Sequence, residues 1–157
     1  MASKYESLMR LALAQARRAR DRGEVPVGAV VVRGGEVVGR GFNQTIRRRD
    51  PSAHAEIVAL RRAGRRMGNH RLTGCSLVAT LEPCAMCLGA AVQARVKRIV
   101  FGAVDPKSGA VSSILRFPFA KMNHRPEVRG GVLSLECGQM LQEFFRSRRR
   151  KKPGKLE

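Results

Sequence analysis

His54, Cys84 and Cys87 are the residues whose types and spacing could hold a metal. They stand in His54-Ala55-Glu56 and, further along, in Pro83-Cys84-Ala85-Met86-Cys87. One imidazole and two thiolates give zinc three protein ligands and leave a fourth tetrahedral position for water. A structural site would close that position with another Cys or His. Here the nearest spare polar group is Glu56, a carboxylate that can take up and return protons. Zinc lowers the pKa of a bound water toward about 7. The pattern reads as a catalytic zinc site with one ion per chain.

Blander readings compete. A C-x-x-C can be a redox pair, although a thioredoxin-like motif needs no His-x-Glu elsewhere. A lone histidine is more often structural, and only the paired cysteines change that reading. Two residues along an ideal helix, Glu56 would sit about 200° from His54. The two converge only if the site lies ahead of the helix end, and otherwise Glu56 is a solvated surface glutamate. Cys84 and Cys87, three apart, share one helix face in a first turn whose free N–H groups favour thiolates. Cys75 and Cys137 have no partner at metal spacing and read as small core residues. His70 and His124 read as surface or loop histidines.

Charge is the second large feature. The 157 residues carry 31 Lys and Arg against 12 Asp and Glu, a net charge of +19. A surplus this large is the electrostatic footprint of a nucleic-acid binder. It is clustered at Arg17, Arg18, Arg20 and Arg22, at Arg47 to Arg49, and at Arg61, Arg62, Arg65 and Arg66. A last cluster runs from Arg146 to Lys155. The alternative is a solvated surface that uses Arg for Lys. The opening residues do not resemble a secretory leader, and no apolar run approaches the roughly 20 residues of a membrane span. The expectation is a cytoplasmic protein without a membrane partner. Residues 1–149 are expected to form one domain, and 150–157 a disordered basic tail.

The elements that must position these residues are legible in outline. Tyr5 to Arg22 is an amphipathic helix burying Leu8, Ala12, Ala16 and Ala19, closed by Gly23. Val25 to Val32 and Val37 to Phe42 pair as a hairpin around Gly34-Gly35, both apolar enough to be central. Asp50-Pro51 predicts a helix start, with the helix running to about Met67 and burying Ile57, Leu60 and Ala63 or Gly64. Ser76 to Thr80 is a strand, Cys84 to Ala94 a helix, and Arg98 to Gly102 a strand. Val132-Leu133 is expected to end a last strand, and Leu135 to Arg149 to form a last helix. Strand and helix alternate from residue 76 onward, which favours a partly parallel sheet covered by helices. The stretch from Asp105 to Glu127 is long enough to be functional or mobile.

His-x-Glu followed by Pro-Cys-x-x-Cys is the signature of zinc-dependent nucleobase deaminases. Residues 5 to 149 resemble the bacterial tRNA-specific adenosine deaminases of the cytidine deaminase superfamily. The matching stretches are Glu24-Val25-Pro26-Val27-Gly28-Ala29, Ala53-His54-Ala55-Glu56, Thr80-Leu81-Glu82-Pro83-Cys84, Val100-Phe101-Gly102-Ala103, Asn123-His124-Arg125 and Phe144-Phe145-Arg146. The loop Ser112 to Phe119 is more apolar than is usual in that family, and Val78-Ala79 replaces its more usual aromatic-containing pair.

The resemblance implies a three-layer α/β/α fold with a mixed five-stranded sheet, a homodimer, and a flipped-out adenosine of a tRNA anticodon stem-loop as substrate. It implies zinc on His54, Cys84 and Cys87, and Glu56 as proton shuttle. By position Asn43 would contact base or ribose, Val27 would wall the pocket, and Asp105 would lie on its rim. There a carboxylate could accept from a 2′-OH, or merely start an Asp-Pro turn. Lys107, Arg125, Arg146, Arg148 and Arg149 are candidate contacts to the RNA backbone. The residues alone leave two other functions open: deamination of a free base or nucleoside of guanine or cytosine type, and a zinc-stabilised nucleic-acid-binding module without catalysis.

Overall fold

The computed structural model describes residues 3–151. Five strands form one mixed sheet in the order β2-β1-β3-β4-β5. They are β1 (Gly28–Arg33), β2 (Glu36–Phe42), β3 (Ser76–Leu81), β4 (Arg98–Ala103) and β5 (Glu127–Arg129). β1 runs antiparallel to both β2 and β3, whereas β3, β4 and β5 are mutually parallel. The sheet divides the core by strand alternation. Ala29, Val31, Leu77, Ala79 and Ile99 face α3 (Ala55–Met67) and α4 (Ala85–Gln93). Val30, Val32, Val78 and Val100 face α1 (Lys4–Asp21) and Cys137 of α5 (Ser134–Lys151). This is the expected three-layer α/β/α arrangement. No described helix is long and apolar enough to cross a membrane.

α1 begins with a capping box, in which Ser3 accepts from the Glu6 N–H and the Glu6 carboxylate accepts from the Ser3 N–H. It then lies against β1 so closely that a Cβ on Gly28 would meet the Ala12 carbonyl oxygen at 2.0 Å. Gly41 does the same for α3, where a Cβ would stand 2.4 Å from the Ala55 carbonyl oxygen. Bare backbone at these two strand positions lets both helices press onto the hairpin.

Four expectations change. The first strand begins at Gly28 rather than Val25, because Pro26 offers no N–H to a ladder and the Val27 N–H turns back to the Val25 carbonyl at 2.8 Å. The hairpin is not wholly central, since β2 is an edge strand. Val132-Leu133 is a turn with Gly131 at φ +85° and Leu133 at φ +52°, so the last strand is the short Glu127–Arg129.

The fourth concerns the helix expected at Asp50. Asp50 instead closes a local turn, with its Oδ1 accepting the Ser52 N–H at 2.9 Å and the Ser52 hydroxyl at 2.7 Å. The Ala53 carbonyl is taken by the Gln44 N–H at 3.0 Å, so it cannot carry a helix onward. α3 therefore starts only after His54. A short helix that the sequence did not reveal, α2 (Thr45–Arg48), precedes it. Arg150 and Lys151 continue α5, and the rest of the expected tail lies outside the described residues.

Candidate active site

Two helix starts meet at one point. His54 is the N-cap of α3 and Cys84 the N-cap of α4, both in extended backbone. Ser, Thr, Asp or Asn would normally occupy such positions and bond a free helix amide, a contact worth about 1 kcal/mol. Neither His54 nor Cys84 makes that bond, so imidazole and thiol are free to turn outward. Cys87 follows one turn into α4 and is fully buried. Both sulfurs lie 3.6 Å from His54 Nδ1.

The three ligand atoms lie within 4.8 Å of one another, and no other His, Cys, Asp or Glu among the described residues joins the group. With zinc bonds of about 2.05 Å to nitrogen and 2.3 Å to sulfur, tetrahedral geometry separates N from S by about 3.6 Å. The observed spacing fits. The group can hold a metal, and it leaves one coordination position open.

The electrostatics suit a cation. Hydrogen bonding from the Cys87 thiol, and then from His54, brings the Cys84 thiol down to about 4 against the cost of burial. The same Cys84 contact, followed by burial, pushes Cys87 well up. The pair therefore holds one thiolate and one thiol. His54 is raised, first by its hydrogen bond to Cys84.

Glu56 sits in the first turn of α3 and is 4% exposed. Burial, reinforced by the charge on Cys84, pushes its carboxyl up to about 7. Because His54 caps the helix instead of lying within it, His54 and Glu56 are no longer 200° apart on one cylinder. Glu56 shares the buried corner with Cys87 and His54, the two groups whose proximity opposes its upward shift.

The other sequence-derived candidates fall around this corner unequally. Asn43 and Val27 are both buried, and the Asn43 N–H donates to the Val27 carbonyl at 3.0 Å. They lie side by side at the end of the hairpin, tied to Ala53 through the Gln44 N–H. Asp105 starts a turn, its Oδ1 accepting the Lys107 N–H at 3.0 Å and the Ser108 N–H at 3.3 Å. Asp105 and Lys107 line a cleft of about 790 Å³ against Gln142 and Phe145 of α5, to which His54, Cys84, Cys87 and Glu56 do not contribute.

Arg125, Arg146 and Arg149 are exposed. Arg148 is engaged within the protein: its guanidinium lies over Phe144 at 4.9 Å and donates to the Gly23 carbonyl. His124 is pinned too, with Nε2 2.7 Å from the Val96 carbonyl oxygen.

Two buried carboxylates escaped the sequence reading. Glu24 accepts the N–H groups of Ile46 and Arg47 at 3.2 and 2.8 Å, which holds the start of α2. Glu82, 2% exposed, accepts the Asp105 N–H at 3.1 Å on Oε1 and the N–H groups of Val111, Ser112 and Ser113 at 2.9 to 3.2 Å on Oε2. The Ser113 hydroxyl donates to Oε1 as well. Gly109 lies so close that a Cβ there would stand 2.4 Å from the Glu82 carboxyl carbon. The first half of the long loop is thus fastened directly behind Cys84. Their one sequence signal is position: scarce acidic residues, Glu24 directly after Gly23 and Glu82 between the end of β3 and Pro83.

Burial alone would raise the Glu82 carboxyl, but the bonds from Ser113, Ser112, Asp105 and Val111 outweigh it and hold the group below its ordinary value. Its stabilisation is therefore present above the unfolded-state value near about 4.3 and is lost as pH falls through the depressed folded one. Glu82→Gln, which turns an amide NH2 against backbone donors, is expected to destabilise the protein by about 3 kcal/mol at pH 7. Urea titrations of both proteins are expected to show that gap narrowing below about pH 4.

Similarity to known proteins agrees with this geometry. Residues 3–149 match the family model for MafB19-like deaminases. The tRNA-specific adenosine deaminase of Haemophilus influenzae is 50% identical over 94% of this chain and 86% of its own length. That of Bacillus subtilis is 44% identical over 94% and 92%. The chain belongs to the tRNA-specific adenosine deaminase family. A solved structure from work on A-to-I editing by tRNA:A34 deaminases at the wobble position superposes on this deaminase with a TM-score of 0.82 at 45% identity, covering 86% of this chain and 99% of that one.

Proposed function

We propose that this protein converts adenosine to inosine at the wobble position of a tRNA anticodon, with one zinc ion held by His54, Cys84 and Cys87. The observation that carries the reading is a three-ligand metal group with an open position and a buried carboxylate beside it. The relatives named for the same reaction and the net charge of +19 support an RNA substrate. Two thiolates and an imidazole are a donor set that suits zinc.

A zinc ion there supplies Lewis acidity and a water acidic enough to ionise near neutral pH. The chain's own part is proton handling. Glu56, shielded from bulk water, would take one proton from the attacking water and pass it to the ring nitrogen. It would then take that water's second proton from the new C6 hydroxyl and pass it to the departing amine, which leaves as ammonia. Val27 and Asn43 wall and orient the base. The Asp105 carboxylate, fixed by its turn, would accept from a ribose hydroxyl. Lys107, Arg125, Arg146 and Arg149 would hold phosphates, with Arg148 kept for α5.

Two further features belong to this reading. A shallow groove of about 570 Å³ between α3 and α4 is lined by Ile57, Leu60, Leu72, Met86 and Ala90. Met86, between Cys84 and Cys87 in the first turn of α4, is 40% exposed, which supports a homodimer joined there. A tRNA substrate also supports a cytoplasmic location.

The test is inosine formation in an anticodon stem-loop carrying adenosine at the wobble position, compared with its all-DNA counterpart and with free adenosine, cytidine and guanine. Inosine in the RNA alone is the expected result. Turnover of a free base or nucleoside in its place would overturn the proposal, and so would a zinc-loaded, folded protein that turns over nothing.

A further inference from the structure

Arginines from three separate clusters in the sequence, together with Arg40 of β2, become neighbours at the exposed edge of the sheet. Arg18 of α1 and Arg22 at its C-cap lie over the Phe42 ring of β2, with their guanidinium carbons 5.1 and 5.2 Å from its centroid. From the opposite layer, Arg62 of α3 reaches back to the same strand and donates to the Arg40 carbonyl at 3.0 Å. Arg48 of α2 and Arg65 of α3 complete the group. Burial, and then the like charges of Arg48, Arg18 and Arg65, push the Arg62 guanidinium down, while the one carboxylate felt by Arg48, that of Asp50, is shared with Arg61.

Every carboxylate ion pair nearby goes to some other arginine: Arg20 to Asp21, Arg61 to Asp50 and Arg66 to Glu36. Among the described residues, none of these six arginines forms a salt bridge. A band of unpaired like charge costs self-repulsion in the free protein and is relieved by a polyanion. The stacking on Phe42 and the bond to the Arg40 carbonyl also fix three of the guanidiniums in place, which lowers the entropy lost when they bind.

The band is continuous with the candidate active site at one end. Arg48 lies in α2, whose preceding residue, Gln44, is bonded to Ala53 just before His54. From there the arginines lead along β2, which two strands separate from β4, the strand whose end lines the α5 cleft with Asp105 and Lys107. We infer that Arg18, Arg22, Arg40, Arg48, Arg62 and Arg65 form a second phosphate-binding surface, one that grips the sugar-phosphate backbone of the tRNA stem beyond the anticodon loop. The inference rests on the tRNA reading and extends it from the reacting nucleotide to the body of the substrate. Guanidinium forks suit phosphate oxygens, and contacts of this kind position RNA without reading its sequence.

The test uses the full chain with Arg18, Arg40, Arg62 and Arg65 all changed to Gln, and a companion with the same four changed to Lys. Binding is measured over a range of salt for a full-length tRNA and for an anticodon loop on a stem of a few base pairs. The Gln variant is expected to bind full-length tRNA about tenfold more weakly at moderate salt, with the log–log salt slope shallower by about 2 to 3. The short loop is expected to bind and react as with the unaltered protein, and the Lys variant to recover most of the affinity.

Equal weakening for both RNAs, unchanged binding of full-length tRNA, or no recovery with Lys would each overturn the second surface. Failure of the tRNA reading itself would look different, because the unaltered protein would then form no inosine in either RNA.

Discussion

Glu56→Ala is expected to lower inosine formation on the order of 10³-fold while zinc content and folding are kept. Glu56 is nine-tenths or more buried, and its carboxyl is raised to about 7 mainly by that burial. A carboxylate in such a place costs stability and is retained for chemistry that needs a group able to hold and release a proton near neutral pH. Removing it relieves a buried ionisable group, so the melting temperature should hold or rise. The loss should fall on kcat, with KM little changed, because proton transfer matters at the transition state and not for docking. Glu56→Gln separates this role from packing. It keeps shape and volume but cannot carry the proton, and it should be as inactive as the alanine variant. A glutamine variant with substantial turnover would remove Glu56 from the proton path.

The metal group was legible because its signal is local: residue types that few other roles require, at a spacing a single helix turn enforces. The layers were legible because Leu8, Ala12, Ala16 and Ala19, or Val30 and Val32, repeat at the period of their element. His54 was placed inside a helix because Asp50-Pro51 carries every local mark of a helix start. The hydrogen bond that cancels it runs from Gln44 to Ala53, a contact that local patterning cannot show. That contact also resolves the awkward relation of His54 to Glu56, since an N-cap and a first-turn residue can face the same corner.

Glu24 and Glu82 were missed for a related reason. A carboxylate that gathers backbone N–H groups from a distant loop leaves no periodicity and no partner side chain in the sequence. The arginine clusters were visible one by one. Their meeting at the β2 edge depends on α1 and α3 lying on opposite faces of the same strand.

Cys87→Ala should abolish activity by a different route, and the two failures should be separable. Cys87 is fully buried, and its sulfur stands at zinc-ligand spacing from His54. Without it two protein ligands remain, and zinc content should fall from one per chain to near zero, with inosine formation lost. Zinc that binds only the folded state stabilises it by about 4 kcal/mol at a thousandfold excess over its Kd. The variant should therefore unfold at markedly lower temperature than Glu56→Ala, and chelator should lower the melting temperature of the unaltered protein but not of Cys87→Ala.

The proton inventory gives this a pH signature. In the metal-free pair Cys84 is the thiolate, lowered to about 4, while Cys87 is pushed up and keeps its proton. Zinc must displace that proton, so its apparent affinity should fall about tenfold per pH unit as pH drops from 8 toward 7. Full zinc content in Cys87→Ala would mean that another residue closes the site, and the open coordination position on which the catalytic reading depends would be lost.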